Sequence, residues 1–171
     1  RQHLVVLDQA GHVLVSADTF TTTTPDAVSC EGLTSRQIRV VGVDDELGIA
    51  LLQVESAGWT AAEITTIRPQ PGEEIRLVTQ TTSGQAAVPG LVKASRSTLA
   101  FDAATPLRHP AVVVDASGAV MALIGARHGR TVPTPIADAL RAARQLLDSD
   151  PTDPTEPTRR STESTPTTTH R

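Results

Sequence analysis

Five histidines (His3, His12, His109, His128 and His170) and serines such as Ser83 and Ser117 are the side chains of this 171-residue chain that could serve nucleophilic hydrolysis. Such chemistry needs a serine hydroxyl to attack, an imidazole to take its proton and a carboxylate to orient the imidazole. His109 is flanked by Arg108, with Asp115 further along, and could pair with Asp18 across a cleft; a solvated loop histidine is the simpler reading. Ser117 stands in the tetrapeptide Asp115–Gly118, DASG, where a polar turn residue is expected rather than a nucleophile. His109 and His128 would need a third ligand to hold zinc, and no residue at ligand spacing supplies one. Cys30 is the single cysteine, so no internal disulfide can form. Asp26 and Glu31 near it oppose the electropositive setting a reactive thiol requires, so it reads as a buried free thiol.

The elements that would position these groups are mostly short strands. His3–Asp8 and Gly11–Ser16 flank the turn DQAG, and Gln37–Val43 and Gly48–Val54 flank the turn DDEL. Glu74–Gln80, Val88–Ser95 and Ser97–Asp102 follow, and Ala111–Asp115 with Ala119–Ile124 closes on DASG. One helix is expected over Thr134–Leu147, with Thr134 as its cap and Pro135 at its first position. Ile136, Leu140, Ala143 and Leu147 would form its apolar face, with Arg141 and Arg144 towards its C-terminal end. Arg68–Gly72, RPQPG, divides the strands into two halves, 1–67 and 68–148. The remainder, 149–171, is rich in Pro, Thr and Ser without a Leu, Ile, Val or aromatic residue after Asp150, and is expected to be a disordered tail or an O-glycosylated stalk.

Composition narrows the functional classes. The chain is 39% hydrophobic but 2% aromatic, so its core must come from Val, Leu, Ile and Ala, a β-leaning choice. A formal charge of −4 and the lack of a basic stripe argue against a nucleic-acid partner. No apolar run approaches the roughly 20 residues of a membrane-spanning helix. The chain begins at Arg1 rather than Met, which leaves room for a signal or a membrane anchor upstream. No cofactor is implied.

Four segments, in order, resemble the trypsin-like peptidase domain in its bacterial HtrA/Deg branch. Val5–Phe20, VVLDQAGHVLVSADTF, is similar to the hairpin that ends in the family's histidine. Val40–Val54, VVGVDDELGIALLQV, is similar to the segment carrying its aspartate. Gly72–Ser97 and Phe101–Pro135 resemble the second half, including the stretch that carries GNSGGP. The resemblance implies an all-β, chymotrypsin-like fold: two packed β-barrels of the six-stranded type, the first N-terminally incomplete, and a C-terminal α-helix.

On that resemblance the three catalytic positions hold other residues. Asp18 stands for the histidine, Gly48 for the aspartate and Leu107 for the serine, in TPLRHP. Arg108 and His109 replace the glycines of the oxyanion loop, and Pro106 removes an N–H from it. The expectation is a non-catalytic binding or scaffolding module outside the cytoplasm, taking a protein or peptide through a vestigial cleft of Asp18, Gly48, Leu107, Arg108 and His109. The alternatives are a serine endopeptidase with a displaced triad and a purely structural ectodomain.

Overall fold

The computed structural model describes residues 4–17, 28–30, 33–35, 38–55, 58–68, 70–81, 84–93, 100–103, 111–127 and 130–150. Twelve strands and one helix make up the described elements. β1 (Val5–Val6), β2 (His12–Ser16), β5 (Ile38–Asp44) and β6 (Ile49–Val54) form an antiparallel sheet in the order β1-β2-β6-β5. β3 (Val28–Cys30) and β4 (Leu33–Ser35) pair with each other. β7 (Glu74–Thr81), β8 (Gly84–Lys93), β9 (Ala100–Ala103), β10 (Ala111–Val114), β11 (Val120–Arg127) and β12 (Arg130–Pro135) form a six-stranded sheet in the order β12-β11-β10-β7-β8-β9. This second sheet curls into a nearly closed barrel, and α1 (Ile136–Asp148) follows it.

The apolar run Ile49–Val54 shows why the first sheet sits where it does. Ile49 and Leu51 point to one side, where they join Val5, Leu14, Val112, Val120, Leu123 and α1. Ala50, Leu52 and Val54 point to the other, with Val6, Val13, Val15 and Trp59. A strand covered on both faces reads as a continuous hydrophobic run rather than an alternating one. Leu14, Ile49 and Leu51 are fully buried, each stabilising the fold by roughly 1.5–3 kcal/mol. The second sheet divides its residues in the same way. Ile75, Leu77, Val113 and Met121 fill the barrel, whereas Val78, Val112 and Val114 face the first half.

The halves are joined through backbone as well as side chains. Ala62 N–H donates to Val6 O at 2.8 Å, and Val120 N–H to Glu63 O at 2.8 Å. The segment after β6 thus covers β1 and forms a parallel bridge, Ile64 to Val120, with the second half.

The structure differs from the sequence reading at several points. β12 was not expected; it carries Pro133 and Pro135, which its place at the end of the sheet allows, since it pairs with β11 alone and an edge strand tolerates residues that lack an N–H. Thr134 is not the helix cap: it belongs to β12, is buried, and its hydroxyl donates to Leu47 O at 3.2 Å. Pro135 occupies the N-cap position, with no side-chain cap hydrogen bond, and the last turn of α1 holds no basic residue. β3 and β4 had no expected counterpart. The tail 151–171, Thr21–Thr24 and the side chain of Cys30 lie outside the described residues.

Candidate functional site

Of the five cleft residues inferred from sequence, Gly48 is described; Asp18, Leu107, Arg108 and His109 lie outside the described residues. β2 pairs with β6 so that Ser16 faces Ile49, and Ala17 N–H donates to Gly48 O at 2.9 Å. Ala111 pairs with Ile124, the residue before Gly125. Gly125 in turn meets Gly48: a Cβ on Gly125 would lie 2.5 Å from Gly48 O. The end of β2, Gly48 before β6 and Gly125 in β11 thus meet at one corner between the halves.

The corner is built by backbone. Asp44 Oδ1 accepts from Leu47 N–H at 2.9 Å and folds the β5–β6 turn. Gly48 follows with φ 66°, a left-handed conformation that a Cβ disfavours. It is buried and carries no side chain, so nothing at this position can hold an imidazole. Sequence reasoning missed Gly125 and the Thr134–Leu47 bond as parts of this corner. A glycine inside a strand does signal close backbone approach, and Gly125 is such a glycine.

Ser117 and His12, displaced candidates among the described residues, serve local structure. Ser117 is exposed, and its hydroxyl donates to Asp115 Oδ1 at 2.6 Å; the same oxygen accepts Ser117 N–H at 2.8 Å and Ala119 N–H at 3.0 Å. The Ser117 hydroxyl, with these N–H groups, holds the Asp115 carboxyl below the usual carboxylate range. His12 is the histidine among the described residues, and its ring donates from Nδ1 to Asp8 Oδ2 at 2.7 Å. Burial pushes the Asp8 carboxyl up, but the ring and backbone of His12 outweigh it and leave it lowered. Both contacts lie within hairpin turns. Among the described residues no three His, Cys, Asp or Glu gather as a metal site, and no helix is long and apolar enough to cross a membrane.

Solved structures share this fold. HtrA-type protease AlgW, solved with a decapeptide, superposes with a TM-score of 0.70 at 19% identity, over 86% of this chain and 51% of that one. Deg5 gives 0.70 at 14% identity, over 86% and 83% of the two chains. The serine endoprotease from Yersinia pestis gives 0.70 at 17% identity, over 85% and 57%.

The fold is that of the HtrA/Deg-type, trypsin-like proteases.

The chain spans about half the length of AlgW and of the Yersinia enzyme, so it matches one portion of each. No family model matches the sequence, and no curated protein does. Within the chymotrypsin-like frame, the Gly48 corner occupies the junction of the two halves, where the resemblance sets the catalytic aspartate.

Proposed function

We propose that this trypsin-like domain is non-catalytic and binds or scaffolds a protein or peptide ligand in the cell envelope. One observation carries the reading. The position aligned with the catalytic aspartate is a buried, left-handed glycine whose carbonyl abuts Gly125, so the corner is closed by backbone where the chemistry requires a carboxylate. The sequence adds Asp18 and Leu107 at the other two positions. The core on both sides of the corner is intact, which fits retention of the fold for a use other than hydrolysis. Fold alone would argue for a protease, and it is the site that decides.

Fluorophosphonate labelling of the purified chain, with trypsin as the positive control, tests this. The expected result is a labelled control and an unlabelled domain. A labelled serine would overturn the reading and would identify the true nucleophile by its position.

A further inference from the structure

We propose that the outer face of β7, β8 and β9 is a docking groove for an extended peptide that presents a basic side chain. The groove measures about 610 Å³, within the range of ligand sites, and is bounded by Glu74, Arg76, Pro89, Leu91, Asp102 and the turn residue Ala116.

The strand register fixes its pattern. Glu74 faces Leu91 across β7–β8, and Leu91 faces Asp102 across β8–β9, so the three side chains form one row on the same face with the leucine in the middle. Pro89 extends the apolar floor along β8, opposite Arg76. Gly90 lets β9 close on β8, because a Cβ there would stand 2.8 Å from Asp102 O. Leu91 is left 47% exposed, among the few large hydrophobic side chains on the described surface. Exposed leucine between two carboxylates is a poor arrangement for the free protein and a good one for a ligand that is aliphatic and cationic at once.

A lysine or arginine side chain is such a ligand. Its methylene stem would cover Leu91 and Pro89 while its charged head reaches Glu74 and Asp102. Glu74 has no ion pair among the described residues. Asp102 meets Lys93 at 3.6 Å, with both side chains more than half exposed, a surface pair that a ligand displaces easily. Arg76, also without an ion pair among the described residues, lies two residues from Glu74 on the same strand face and would take an acidic group two positions along the peptide.

The experiment is fluorescence anisotropy with a short labelled peptide carrying a central arginine flanked by valines, against the same peptide with glutamate or norleucine at the centre. The arginine peptide is expected to bind at least about tenfold more tightly than the glutamate peptide. The Glu74→Gln/Asp102→Asn double variant should lose that preference, and Leu91→Ser should weaken the arginine and norleucine peptides alike. These positions are exposed, and circular dichroism checks the fold. On the unaltered protein, rising salt should weaken the arginine peptide, since its head group is held by partly exposed charges. Equal affinity for all three peptides, or unchanged affinity in the double variant, overturns the proposal. The groove does not depend on the state of the cleft, so a labelled serine would leave this result standing.

Discussion

Gly48 and Gly125 meet backbone to backbone across the two halves of the molecule, with 2.5 Å between the Gly48 carbonyl oxygen and the place where a Cβ of Gly125 would be. The same carbonyl accepts the Ala17 N–H, and the preceding carbonyl, of Leu47, accepts the Thr134 hydroxyl. The first half is thereby held against β11 and β12 by groups that need close approach.

Gly125→Ala should therefore destabilise the fold by about 1–3 kcal/mol, because the obstacle is a backbone carbonyl that cannot rotate away. Urea unfolding measures the loss. An unchanged midpoint would mean that β11 can move off the Gly48 corner without cost.

Gly48 itself separates conformation from chemistry. At φ 66° an alanine should cost about 1–2 kcal/mol, while asparagine or aspartate should cost less, since these residues tolerate the left-handed region. Gly48→Asp is thus expected to fold better than Gly48→Ala and still to give no fluorophosphonate labelling. Reversed stability order would count against the conformational argument; labelling of Gly48→Asp would count against the assignment of Leu107.

The hairpins were legible from sequence because their turns carry their own chemistry. DQAG and DASG each place an aspartate that accepts backbone N–H groups of its loop and a glycine with positive φ, Gly11 at 88° and Gly118 at 96°. The helix was legible from its apolar spacing, and Ile136 and Ala143 are indeed buried, with Leu140 and Leu147 packed at the margin. Its start was misread because Thr134 satisfies a tertiary partner, Leu47 O, which no local pattern reveals. β12 carries two prolines that only its edge position makes acceptable. Gly48 was named from the order of motifs, but its contact with Gly125 joins residues far apart in sequence. The groove over Leu91 was not legible at all, since it needs three strands in register.

Arg39 ties the end of the helix to the first sheet. Its Nε and Nη2 donate to Gln53 Oε1 at 3.2 and 2.7 Å, and its Nη1 pairs with Asp150 just beyond α1. The Asp150 side chain is 6% exposed against 42% for Arg39, so the two truncations are not equivalent. Arg39→Ala removes a charged partner of a nearly buried carboxylate and should cost about 1–3 kcal/mol. Adding Asp150→Ala to that variant should recover part of the loss. A double-mutant cycle by urea unfolding reads the coupling, and strictly additive effects would show the pair to be idle.

Acid should weaken the fold through Asp115 and Asp8. Both carboxyls have folded-state values below the ordinary one, Asp115 through the Ser117 hydroxyl and neighbouring N–H groups, and Asp8 through His12 in spite of an opposing push from burial. A depressed folded value means that the contribution is fully present above the unfolded value, near about pH 4, and is lost as pH falls through the folded one. The unfolding midpoint should thus drop on going from about pH 5 to about pH 2.5. Asp115→Asn cannot titrate, so it should be less stable than the unaltered chain at neutral pH and lose less on acidification. Equal slopes for the two proteins over that interval would remove Asp115 from the account and leave the acid sensitivity to other carboxylates.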